Sequence, residues 1–266
     1  MRIKILAFFV AIQLVSFGLW QTLHGEKMTE TQPASETTHA AAMAPFSYVH
    51  FSARNRSDSS LANLQEGLET RIFEVFGRLP ESHVRSVENV ILDYDPQAHR
   101  GLGGRQIVIL RADMEPRELV GVLVHELAHN VDLIALESSQ TQRASGFKDG
   151  DQAIFIGDPS VDFYRISWET EIVRKRTASN LDFVSGYAMT DAFEDFAETY
   201  AYYVLHGNEF KAKVATSPAL YAKWRFMKYH VFDGIEFDTG DGVVNAESRP
   251  WDVTVLPYDL MAFLAQ

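Results

Sequence analysis

Leu61, Leu64, Leu68, Ile72, Val75 and Leu79 recur at three- and four-residue spacing and stop at Pro80. That period predicts an amphipathic helix over 59–79. Short apolar runs at 46–51, 87–94 and 106–110 read as strands, and Gly101-Leu102-Gly103-Gly104 between the last two reads as a loop. Asp113 and Pro116 then open a helix reaching about residue 136. It is apolar on nearly every side, the signature of a helix buried in a core. Only His125, Glu126, His129, Asn130 and Asp132 interrupt it. Beyond it, 138–151 is a polar loop, 154–156 a short strand and 163–176 a helix. A second strongly apolar helix is expected over 191–206, capped by Gly207. Pro218 opens another to about 228, and a short one closes the chain at 260–264. The pattern is α+β: a buried central helix, a small β-sheet and a mainly helical C-terminal part.

The N-terminus has a different texture. Arg2 and Lys4 precede an uncharged stretch that is apolar to Trp20. Residues 1–24 read as a signal sequence or an N-terminal membrane anchor, with membrane attachment through residues 3–20 in the second case. Either way the rest of the chain is expected outside the cytoplasm, periplasmic or secreted. Residues 25–45 are polar and aperiodic, a linker. Residues 46–266 then form one domain. The 266 residues are 46% hydrophobic and 12% aromatic, enough for a packed core. A net charge of −12 argues against nucleic acid as a partner, because phosphate binding needs a basic face. With no cysteine, thiolate metal ligands, disulfides and cysteine nucleophiles are excluded, so a metal must be held by nitrogen and oxygen.

Residues 125–129 read His-Glu-Leu-Ala-His. On a helix, His125 and His129 share one face and can reach a single ion, with Glu126 beside it to take a proton from water. Burial sharpens the point, since unpaired polar groups in a core each cost about 1–3 kcal/mol. The donor set suits Zn2+ with one position open for water. A third ligand six residues past His129 would be Ala135, which cannot serve. The second apolar helix offers Glu194 as ligand, with Glu198 one turn on to brace a ligand histidine. Each has a plainer reading: Asp191 and Glu194 also form a capping box, and Glu198 also fits a solvated helix carboxylate. Asp132 either orients a histidine or bonds a local backbone group.

His125 to Asp132, taken with Ser185-Gly-Tyr-Ala-Met-Thr-Asp-Ala-Phe-Glu-Asp-Phe-Ala-Glu ending at Glu198, resembles the peptidase domain of the anthrax lethal factor-type gluzincins. The resemblance covers roughly residues 115–205. It implies a zincin-like fold, zinc on His125, His129 and Glu194, and Glu126 as general base. It also implies that Tyr187, seven residues before Glu194, steadies the oxyanion; a packing role is the plainer reading of that tyrosine. The substrate class it implies is a peptide or protein. The strand at 106–110 is expected to be an edge that takes an extended substrate. The alternative is a non-catalytic extracytoplasmic binding protein that keeps the scaffold. Oligomeric state is left open.

Overall fold

A computed structural model describes residues 46–56, 62–137, 142–239 and 249–266. The expected signal or anchor (1–24) and linker (25–45) lie outside the described residues. Among the described residues no helix is long and apolar enough to cross a membrane.

A four-stranded sheet forms one wall of the domain. Its strands are β1 (His50–Arg54), β2 (Asn89–Asp93), β3 (Gly101–Gly104) and β4 (Ile107–Arg111), in the order β1-β2-β4-β3. β1, β2 and β4 run parallel; β3 returns antiparallel on β4. Helices α1 (Ala62–Phe76) and α2 (Glu81–Val84) make the crossover from β1 to β2 that parallel pairing requires. The first strand begins four residues later than expected. Phe46 instead turns its ring onto Phe73 and Phe76 of α1, and the Val49 amide donates to its carbonyl.

The glycine run expected to be a loop is a strand. Backbone proximity explains it. A Cβ at residue 101 would lie 2.5 Å from both Glu126 Oε1 and Val122 Cγ1, and one at residue 103 would collide with the carbonyl of Glu126. Alternate glycines let β3 lie directly against helix α3 (Pro116–Asn130), where a side chain on that face would prevent contact. β4, expected to be an edge, is enclosed by β2 and β3; the free edge on this side is β3.

α3 is buried almost throughout, as its sequence predicts, and a π-helical turn (Val131–Ala135) extends it to the expected length. Residues 144–155, read as loop and short strand, form a hairpin of β5 (Ala144–Asp149) and β6 (Gln152–Phe155). Helix α4 (Pro159–Ser167) starts and stops earlier than the expected 163–176. Asp158 caps it by accepting from the Ser160 amide, and Pro159 stands in its first turn. It ends where Trp168 turns inward and donates its indole N–H to Asp195 at 2.9 Å.

Helix α5 (Ala192–Leu205) crosses α3 and is buried over nearly its whole length. Gly207 does not terminate it as a cap; it begins the next helix, α6 (Gly207–Lys213), followed by α7 (Pro218–Phe226) and, near the C-terminus, α8 (Leu260–Leu264). One buried ion pair fixes α5 against α7. Lys223 Nζ donates to both oxygens of Asp195 at 2.8 and 2.6 Å, and to the Asp182 carbonyl at 2.7 Å. Both side chains are fully buried, and the ammonium lies 4.1 Å from the centre of the Phe183 ring. Burial alone would discharge each group; the pairing keeps them together. Lys223→Met preserves the volume but strands Asp195. It is expected to cost about 3–5 kcal/mol, read as a lower urea midpoint.

Candidate metal centre

α3 and α5 bring three Lewis bases to one point. His125 Nε2 lies 3.2 Å, and His129 Nε2 3.6 Å, from Glu194 Oε2. Donor atoms of the three residues all fall within 4.8 Å of one another, a group that could hold a metal ion. Glu194 Oε2 is buried and accepts no hydrogen bond, although two ring nitrogens face it. Three such donors converging on one shared space fit a cation placed there. The capping reading of this region is also borne out in part: Asp191 caps α5 by accepting from the Phe193 and Glu194 amides at 3.0 and 2.8 Å. The cap uses the Asp191 carboxylate and the Glu194 backbone, so the Glu194 side chain is free to face the histidines.

Glu198 sits behind His125, not in solvent. Its Oε1 is 3.0 Å from His125 Nδ1, at contact distance without the alignment of a hydrogen bond. Its Oε2 accepts from Ser185 Oγ at 2.5 Å and from the Val253 amide at 3.0 Å. These two bonds hold the other oxygen facing the His125 ring, the place from which a carboxylate can orient an imidazole. Asp132 does something else. It accepts the Tyr164 hydroxyl at 2.6 Å, and no hydrogen bond joins it to a histidine among the described residues. Burial pushes its carboxyl up to about 7 against the opposing effect of Ser160 and Tyr164.

Glu126 and Tyr187 share a cavity of about 450 Å³ with the three donors. Burial raises the Glu126 carboxyl above its usual range, and the positive character of His125 and His129 offsets part of that. The Tyr187 ring stacks on His125 with centroids 5.9 Å apart, and its hydroxyl donates to Glu194 Oε1 at 3.1 Å. Burial, then the Glu194 charge, pushes the phenol far above its ordinary value, so it stays a proton donor in hydrogen bonds at any working pH. Glu194 goes the other way: burial would raise it, but His129 and His125 more than reverse that and hold it ionised.

Residues 106–236, a little under half of the chain, match the model of a family described as "Putative zinc-binding metallo-peptidase". Zinc is the cofactor. Searches of curated proteins and of solved structures give no match. The matched segment contains all three donors, with Glu126, Tyr187 and Glu198, and it supports a peptidase.

One part of the site has no sequence signal. The segment 250–254, beyond the matched residues, closes the cavity. The Gly186 and Tyr187 amides donate to the Pro250 and Trp251 carbonyls at 2.8 and 2.6 Å. Asp252 is ion-paired to Arg100, which also donates to Glu118 at 3.0 Å and to Thr254 Oγ1 at 3.1 Å. Nothing local in Pro-Trp-Asp-Val-Thr marks it as part of the cavity wall; only its pairing with residues far upstream does.

If Glu198 braces His125, Glu198→Gln should weaken zinc binding by about 10–100-fold in competition with a chromophoric chelator. Unchanged zinc affinity would assign Glu198 to packing alone.

Proposed function

We propose that the protein is a zinc metallopeptidase of the gluzincin type. In this reading His125, His129 and Glu194 hold the ion, Glu126 is the general base, and Tyr187 donates to the oxyanion. Glu198 positions His125 from behind. The carrying observation is the convergence of Glu194 Oε2 on two ring nitrogens, with no hydrogen bond of its own, in a cavity that also holds Glu126. The order of Tyr187, Glu194 and Glu198 along the chain is what aligns the reading with the lethal factor-type peptidases.

Bound zinc would lower the pKa of a coordinated water and polarise the substrate carbonyl. The remaining steps belong to the chain. Glu126 lies over Gly101 at the floor of the cavity and takes the proton of the attacking water as its oxygen bonds to the carbonyl carbon. As the C–N bond breaks, Glu126 returns that proton to the leaving amine. Tyr187, neutral and already a donor, transfers its hydrogen bond from Glu194 Oε1 to the developing oxyanion. The free edge of β3 is where an extended peptide pairs by strand addition, since it borders the cavity and has no neighbouring strand on that side among the described residues. The apolar N-terminal run supports work outside the cytoplasm.

Two variants test this reading with zinc-loaded protein and a mixed peptide library. Glu126→Gln should keep its metal and lose about 10²–10⁴-fold in kcat. Full activity in that variant, or activity that survives removal of the metal, would sink the peptidase reading. Metal binding with no cleavage by the wild type would favour the non-catalytic binding protein.

Tyr187→Phe removes only the hydroxyl. It should lower kcat by about 10²–10³-fold with KM nearly unchanged, because the hydrogen bond strengthens in the transition state. An equal loss through KM would make Tyr187 a ground-state contact.

A further inference from the structure

We propose that Trp251 is the wall of a substrate subsite that takes an apolar side chain next to the scissile bond, on the Tyr187 side. The inference rests on the peptidase reading above and names a substrate class for it.

Among the large apolar side chains that the described residues expose, Trp251 is the one that lines this cavity. It is 69% exposed. Scattered apolar residues on a surface are ordinary, but this one is held in place. One face of the indole rests on Gly186, where a Cβ would come within 2.5 Å of Trp251 Cε3. Its own carbonyl accepts the Tyr187 amide at 2.6 Å. The indole and phenol rings lie 6.3 Å apart at 43°. The uncovered part of the ring is therefore a rigid apolar surface beside the proposed oxyanion donor.

Charge decides what that surface suits. The neighbouring cation, Arg100, is already engaged by Glu118 and Asp252, and Asp252 Oδ1 accepts from Thr254. Arg100, Glu118 and Asp252 are paired among themselves and Arg249 donates to the Leu181 carbonyl, so these charges offer little to an ionic substrate group. Phe193, Leu133 and Val122 add apolar lining to the same cavity. A Phe or Leu side chain laid on the indole would remove apolar area from both partners, whereas a glycine would remove almost none.

The test uses peptides that differ only at the positions flanking the cleaved bond, carrying Phe, Leu, Gly or Asp. Cleavage is followed with the wild type, Trp251→Ala and Trp251→Phe. Binding of the same peptides is followed by calorimetry on the Glu126→Gln protein, with and without Trp251→Ala. Trp251→Ala should lower kcat/KM for the Phe and Leu peptides by about 10–100-fold, chiefly through KM, and change the Gly and Asp peptides less than about twofold. Trp251→Phe should restore most of the preference, which a purely structural role would not produce. The same selectivity should vanish from binding in the double variant. An unchanged preference in Trp251→Ala, or equal loss for all four peptides, overturns the subsite. If no peptide is cleaved but Phe-selective binding disappears with Trp251, the subsite stands and the peptidase reading falls.

Discussion

Two imidazoles and a carboxylate occupy one buried space between α3 and α5. Crowded together out of water, these groups need a positive charge among them, a proton or a metal ion, because a buried carboxylate with no cation or donor beside it is costly. Much of the surrounding structure follows from holding these three groups together. α3 is buried over nearly its whole length and packs on β3, β4 and α5, so its position is set by packing on several faces. α5 is tied down by Asp195, whose carboxylate receives Lys223 from α7 and the Trp168 indole from the end of α4. Glu194 and the anchor Asp195 are consecutive, so one short stretch of α5 points one carboxylate at the histidines and the next into an ion pair.

A layer behind the donors fixes orientation. Glu198 spends one oxygen on His125 and the other on Ser185 and the Val253 amide. That single side chain links the His125 face of α3 to the turn that carries Tyr187 and to the C-terminal segment. The cavity thus depends on residues spread from Gly101 to Thr254, and its floor exists because β3 has no side chains where it meets Glu126. β3 is also the strand at this edge of the sheet, so the strand that lies against Glu126 is the proposed peptide-binding edge.

Much of the site was legible in the chain. His125, Glu126 and His129 are displayed by helical spacing, and the apolar setting of their helix marks them as buried. Glu194 and Glu198 could be chosen because α5 is equally apolar and offers few other carboxylates. Helix starts were readable where a proline or a capping side chain announced them, as at Pro116, Asp191 and Pro218. Local signals failed where a distant partner decided the outcome. The glycines at 101–104 look like a loop until α3 lies against them. Helix α4 ends early because Trp168 is drawn to Asp195, and Gly207 opens a helix where its position suggested a stop. Spacing offers Asp132 a histidine or a local backbone group, and the hydrogen bond it accepts comes from Tyr164, thirty-two residues on.

By itself the sequence determined the donor types, their helical register and the burial of both helices, because these depend on periodicity and on residue chemistry along a few turns. Only the tertiary structure decided which strand forms the free edge, what holds His125 from behind, and that Trp251 closes the cavity. Those outcomes depend on contacts between segments more than a hundred residues apart for Arg100 and Asp252, and between strands whose order no local pattern encodes. A repeat of apolar residues reports which face is buried; it carries no information on what the face meets.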